Sequence, residues 1–210
     1  VLRQAFQRFT PDGAYETFVE QNRNWLEDYA LFTALKDTLG GKPWLEWPEA
    51  LRLRKADALT EKRRELSDEI RLQYFVQYEF DRQWKALRSY ANAKGVRIIG
   101  DVPIYVPLDS ADVWANPELF QLDESRHPEQ VAGCPPDSFT ADGQLWGNPI
   151  YDWKKMAQTH YFWWIQRLTA AGKLYDVIRL DHFRGFESYW SVPAGDTTAR
   201  NGKWVKGPGM

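Results

Sequence analysis

Tyr175-Asp-Val-Ile-Arg-Leu-Asp-His-Phe-Arg-Gly185 reads as a short buried strand that ends in a burst of charge. Tyr175, Val177, Ile178 and Leu180 are apolar or aromatic, with β-branched residues at the centre. Arg179, Asp181, His182 and Arg184 then crowd together, and Gly185 lets the chain turn. In α/β folds, ligands and chemistry collect where strands deliver side chains at their carboxyl ends. Asp181 is therefore the candidate reactive group. A second strand is expected upstream, in Val96-Arg-Ile-Ile-Gly-Asp-Val-Pro-Ile-Tyr-Val106. Pro103 has no N–H for a ladder, so only the first half should be fully paired, which puts Asp101 near the carboxyl end. Between the two, Lys154 to Ala171 has a helical pattern, with Met156, Trp163, Trp164 and Leu168 as its buried face. A strand, a helix and a strand predict a parallel pair joined by a right-handed crossover.

Outward from this pair, residues 1–95 read as mainly helical and residues 96–210 as the part that carries the chemistry. Ala14 to Leu39 shows apolar residues at three- and four-residue spacing, and Gly40-Gly41 stops it. Pro48 suits the first turn of a short helix through Leu53. Asp57 to Lys94 is the longest helical signal, with Leu66, Ile70, Tyr74, Phe80, Trp84 and Leu87 recurring near helical spacing. Glu61 to Glu65, of mixed sign, reads as a solvated opening turn. Leu108 to Trp153 is rich in Pro, Gly, Asp and Asn. A loop of that length within a domain is more often functional than not, and a short helix is expected near Ser110 to Trp114. The residues after Trp190 suggest a hairpin or loop.

Composition narrows the class. Lys plus Arg is 27 and Asp plus Glu is 29, a net charge of −2. That balance gives no electrostatic footprint for nucleic acid or an anionic membrane. The single cysteine, Cys134, excludes an internal disulfide framework and fits a cytoplasmic protein. No apolar run approaches the roughly 18 residues that a membrane span needs. The chain holds 11 Trp, 10 Tyr and 11 Phe. Several sit beside amides and carboxylates, as in Gln144-Leu-Trp-Gly-Asn-Pro-Ile-Tyr-Asp-Trp153. Flat rings pack on the C–H faces of sugars while polar neighbours bond the hydroxyls, so a polyhydroxylated ligand is expected.

Arg179 precedes Asp181 by two residues, so both point to one face of a strand. A guanidinium bonded to Asp181 would keep it ionised. An ionised, oriented carboxylate suits attack on an anomeric carbon. The same spacing also serves an Arg–Asp pair that only ties one strand to its neighbour. His127, His160 and His182 show no ligand spacing, so no metal site is expected. There is no Gly-x-Ser-x-Gly elbow and no phosphate-cradling glycine loop, and no cofactor is implied.

Six motifs in order carry a resemblance. They are Gly100-Asp-Val-Pro-Ile-Tyr-Val106, Asp109-Ser-Ala-Asp-Val-Trp-Ala-Asn-Pro117, Val131-Ala-Gly-Cys-Pro-Pro-Asp137, Gly143-Gln-Leu-Trp-Gly-Asn-Pro-Ile-Tyr151, Arg179-Leu-Asp-His-Phe-Arg-Gly185 and Asn201-Gly-Lys-Trp-Val-Lys-Gly-Pro208. Together they resemble the amylomaltases, 4-α-glucanotransferases of the α-amylase superfamily. Trp25-Leu-Glu-Asp-Tyr-Ala-Leu-Phe32 is similar to that family too. The resemblance implies an α/β fold, a (β/α)₈ TIM barrel with helical and long-loop insertions, of which this chain supplies about the third and fourth strands. It implies retaining transfer of α-1,4-glucan segments to the 4-hydroxyl of another glucan or glucose, with maltooligosaccharides as partners. Asp181 matches the nucleophile, Arg179 the arginine that orients it, and His182 a substrate-contacting histidine. Asp101 matches the aspartate that ends the third barrel strand, and Trp146, with Asn148 in the same motif, a subsite lining. Pro136 and Asp137 fall in a mobile loop over the groove, where Ser138 stands in place of an aromatic that many relatives carry. The family's acid/base glutamate and third carboxylate belong to motifs not found here, so the chain is expected to be a central piece, inactive alone. An α-glucan hydrolase or a non-catalytic maltodextrin-binding domain are the alternative readings.

Overall fold

Residues 1–209 are described by the computed structural model, and they fall into two units that divide after Val96. In the first, Leu2–Arg8 (α1) leads into Gly13–Thr38 (α2), which Asp12 caps by accepting from the Tyr15 N–H at 2.8 Å. Gly40 and Gly41, at φ 71° and 77°, turn the chain away from α2. A 3-10 turn at Trp44–Glu46 and the short helix Glu49–Arg52 (α3) follow. The long helical signal resolves into two helices, Ala56–Glu65 (α4) and Ser67–Ala93 (α5). The break is at Leu66, φ −100° and ψ 23°, whose side chain is buried. No Gly or Pro marks the spot. Phe18, Leu26 and Tyr78 form a core joined by Phe9, Tyr15, Val19 and Tyr74. In the charged run at the end of α4, Glu61, Arg64 and Glu65 are exposed, while Lys62 and Arg63 are partly covered: Lys62 pairs with Glu65 at 2.6 Å, and Arg63 joins Arg54 on the Asp28 carboxylate at 3.2 and 2.9 Å. Further along α5 the expected apolar face is only partly used, since Phe80 and Leu87 are exposed.

The second unit holds two sheets. Ile99–Pro103 (β1) ends at the proline, as its missing N–H requires. The long loop then forms Ala111–Ala115 (α6) and two strands, Gln130–Cys134 (β2) and Gln144–Pro149 (β3). Next come Trp153–Gln158 (α7) and Phe162–Leu174 (α8), separated by His160 and Tyr161 in left-handed backbone. The expected single helix is therefore broken at two non-glycine residues. Val177–Asp181 (β4) pairs with β1 in parallel, Asp101 opposite Arg179 and Pro103 opposite Asp181. Past a 3-10 turn at Phe183–Phe186, Ser188–Pro193 (β5) and Lys203–Lys206 (β6) complete an antiparallel sheet in the order β3-β2-β5-β6.

Both connections that leave the carboxyl ends of the parallel pair feed this second sheet: β2 and β3 come from beyond β1, β5 and β6 from beyond β4. An aromatic cluster fills the space beside it. Tyr151, 0% exposed, has Phe120, Trp153, Trp163 and Trp164 within 5.0–5.7 Å between ring centroids. Part of the aromatic-rich stretch expected to face a ligand is therefore core, and Trp146 is its exposed tryptophan.

Candidate active site

The burial pattern of the parallel pair alternates, and Asp101, Arg179 and Asp181 all fall on its exposed face. Arg179 makes a two-pronged contact with Asp101, Nε donating to Oδ1 at 2.9 Å and Nη2 to Oδ2 at 2.6 Å. This corrects the expectation that Arg179 bonds Asp181. Neighbours across a ladder stand about 4.8 Å apart, whereas i and i+2 along one strand stand nearly 7 Å apart. The parallel register puts Asp101 directly opposite Arg179, so the guanidinium fork meets that carboxylate first. Its hydrogen bonds hold Asp101 below the ordinary carboxylate range. In turn, Asp101 raises Arg179, and Asp181 adds a smaller push in the same direction.

A depressed carboxyl pKa means that the ion pair persists above that pKa and is lost as pH falls through it. With Arg179→Met, the Asp101 carboxyl should titrate higher, back toward the ordinary range. Carboxyl ¹³C titration of Asp101 in the two proteins measures this, and equal midpoints would refute the assignment.

Asp181 ends β4, and the chain turns at once. His182 adopts φ 52° and ψ 44°, a left-handed conformation uncommon outside glycine, and its carbonyl accepts from the Gly185 N–H at 2.9 Å. The turn brings the imidazole perpendicular to the Trp146 ring, 4.9 Å between centroids. Burial lowers the His182 pKa, opposed by Asp181 and aided by Arg184, so the ring is neutral near pH 7. Its Nε2 is buried and has no hydrogen-bond partner. A Cβ added to Gly185 would come within 3.2 Å of the His182 Cδ2 and 2.6 Å of the Ile104 Cδ1, so only glycine leaves that corner as it is.

Trp146 on β3 is 37% exposed and donates its indole N–H to Gln144 Oε1 at 3.0 Å. Tyr105 lies 6.3 Å from it. The Asn148 amide nitrogen donates to the Val106 carbonyl at 2.9 Å, tying β3 to the segment after β1. Pro136 and Asp137 sit in the connection between β2 and β3. Asp137 Oδ1 accepts from the backbone N–H groups of Phe139 and Thr140 at 2.8 and 2.9 Å, which closes the loop on itself. Beside Ser138, Phe139 is 96% exposed. The structure thus gathers Asp101, Arg179, Asp181, His182 and Trp146 near the carboxyl ends of β1 and β4, and gives Asn148 and Asp137 backbone partners. Sequence reading missed Ile104 and Tyr105, taken as the tail of a strand that in fact stops at Pro103. Among the described residues, no three His, Cys, Asp or Glu side chains are grouped to hold a metal ion.

Residues 1–210 match the family model described as 4-alpha-glucanotransferase, glycoside hydrolase family 77. The chain belongs to this family. A 4-alpha-glucanotransferase of Clostridium butyricum is 49% identical over 213 residues, which is 100% of this chain and 44% of that protein. The one from Thermus thermophilus is 50% identical over 214 residues, 99% of this chain and 43% of that protein. The chain therefore spans less than half the length of these 4-alpha-glucanotransferases. Among solved structures, an amylomaltase from Streptococcus agalactiae in complex with acarbose superimposes with a TM-score of 0.93 at 42% identity, covering 99% of this chain and 43% of that one. Amylomaltase from Corynebacterium glutamicum shares the fold at 20% identity, with a TM-score of 0.77. The resemblance read from the six motifs and the α/β character are thereby established. No described helix is long and apolar enough to cross a membrane.

Proposed function

We propose that this chain carries the nucleophile side of a retaining 4-α-glucanotransferase site. Asp181 is the nucleophile: its carboxylate attacks the anomeric carbon of an α-1,4-glucan as the glycosidic C–O bond breaks. The departing 4-oxygen takes a proton from a general acid. The 4-hydroxyl of an acceptor then attacks the glycosyl ester, gives its proton to the same group, now a base, and releases Asp181. The observation that carries this reading is the exposed strand-end face, with Asp181 free of the Arg179–Asp101 fork and His182 and Trp146 beside it. Trp146 offers a ring for a sugar face, and a ligand hydroxyl would meet His182 through Nδ1, since Nε2 is buried.

The acid must be a different carboxyl, about 5 to 5.5 Å from the nucleophile. Asp101 shares the face but is held ionised by Arg179, so it is unsuited to donate a proton. We assign the acid to a glutamate in the part of the relatives' length that this chain does not span. Residues 96–210 then form part of a (β/α)₈ barrel, β1 and β4 being about its third and fourth strands, and residues 1–95 a helical insertion. Ile99 and Val177, 68% and 44% exposed on the same face as Asp181, support this reading, because a barrel interior is where apolar residues would cover them. Maltooligosaccharides are the substrates, in keeping with the acarbose bound to the Streptococcus agalactiae relative. A cytoplasmic location belongs to the same reading.

The chain by itself is expected to leave maltotriose unchanged. Chromatography after incubation tests this. Glucose together with longer dextrins would mean that a carboxyl among residues 1–209 supplies the proton.

A further inference from the structure

The Ile104 carbonyl, just beyond β1, accepts two hydrogen bonds from side chains far along the chain. The Tyr151 O–H donates at 2.6 Å and Arg167 Nη1 at 3.1 Å. Tyr151 is fully buried, and Arg167, on α8, lies over the rings of Trp163 and Trp164 at 5.5 and 4.8 Å. A carbonyl that accepts from a hydroxyl and a charged donor is held in orientation more firmly than one with a single neutral partner.

What this carbonyl anchors is the turn between the two halves of the site. The Ile104 side chain fills the corner against Gly185, where the His182 ring also packs. Tyr105, the next residue, lies between Tyr151, 5.7 Å away and near parallel, and Trp146 at 6.3 Å. Two consecutive residues thus set the neighbours of His182 on one side and of Trp146 on the other, and those two rings meet at 4.9 Å.

We propose that Tyr151 and Arg167 are positioning residues for glucan transfer: by holding the Ile104 carbonyl they fix the turn that seats His182 and Trp146 together beside Asp181. This rests on the reading of Asp181 as nucleophile. Misplacing reacting groups by about 1 Å can cost up to about a hundredfold in rate. A shared anchor for two substrate-facing rings is a place where such a shift would arise.

The test uses the full-length protein and maltotriose disproportionation. Tyr151→Phe keeps the ring and removes the donor, and Arg167→Met removes the other donor. Each is expected to lower kcat about tenfold or more with KM changed less than about threefold, and Arg167→Lys to recover part of the loss. The second readout is the His182 imidazole signal in ¹H–¹³C spectra, assigned by its disappearance in His182→Gln. It should shift in Tyr151→Phe, while imidazole signals of His127 and His160 stay in place. Loss of thermal stability with an unmoved His182 signal and unchanged kcat would overturn the proposal. If the wild-type protein does not disproportionate maltotriose while the His182 signal still responds, the glucan-transfer reading fails and the anchor stands. Should Arg167→Met fail to fold, Tyr151→Phe decides alone.

Discussion

Asp181→Asn in the full-length protein is expected to lower glucan transfer by on the order of 10⁴-fold or more, close to 5 kcal/mol in the barrier. The exchange keeps shape and removes the charge that, on the proposed reading, attacks the anomeric carbon. Nothing in the described surroundings compensates. Asp101 is bound in both oxygens by Arg179, and the neighbouring imidazole is neutral. In the 210-residue chain Asp181 is exposed at the end of β4, so its replacement there should leave stability within about 0.5 kcal/mol, as for surface substitutions in general. Initial rates on maltotriose with the full-length protein and a thermal melt of the 210-residue chain separate the two effects. A variant that retains turnover within tenfold of the parent would rule Asp181 out as nucleophile.

The largest effect on folding is expected at Gly100, on the opposite face of β1 from Asp101. A Cβ there would lie 1.9 Å from Tyr175 Cδ2 and 2.1 Å from its Cγ. Tyr175 ends α8, its N–H donating to the Ala171 carbonyl at 2.9 Å, so its backbone is not free to retreat. The aromatic ring lies directly on the strand, a close approach that only glycine permits. Gly100→Val forces the ring out or the strand away. Overpacking typically costs about 1–3 kcal/mol, and the contacts of the displaced ring add to it, so about 3 kcal/mol or more is expected. At about 2–4 °C per kcal/mol for chains of this size, the melting temperature should fall by roughly 6–12 °C. Adding Tyr175→Ala to Gly100→Val should recover part of the loss, because the clash disappears with the ring. A fall of less than about 2 °C in the single variant would show that the ring yields without cost.

Much of the parallel pair was legible because its signals are local. Val177-Ile-Arg-Leu180 is a run of strand formers, Pro103 marks where β1 must stop pairing, and Gly40-Gly41 closes α2. Asp181 at the end of β4 follows from the same local reading, whereas Asp101, expected at the end of β1, is its middle residue, with Val102 and Pro103 still paired beyond it. The second sheet was not legible. Gln130-Val-Ala-Gly-Cys134 and Gln144-Leu-Trp-Gly-Asn-Pro149 carry Gly, Pro and amides without clean alternation, and they become strands by pairing with distant partners. The partner of Arg179 was misread for a related reason. Spacing along one strand is visible in a sequence, whereas the register between two strands is not. The breaks at Leu66 and at His160-Tyr161 have no Gly or Pro to announce them.

The pairing of β2 with β5 has a consequence for engineering. The segment that follows β1 and the segment that follows β4 are two strips of one sheet, joined along Gln130 to Gly133 and Trp190 to Pro193. Arg200 adds a second stitch, reaching the Asp142 carboxylate at 2.7 Å and the Ala141 carbonyl at 3.1 Å. Loop exchange between relatives treats the segments that follow the strands of a parallel sheet as independent cassettes. Here they are one cassette in two pieces: a graft of residues 104–152 from a relative needs residues 182–206 from the same donor to keep its hydrogen-bonded seam.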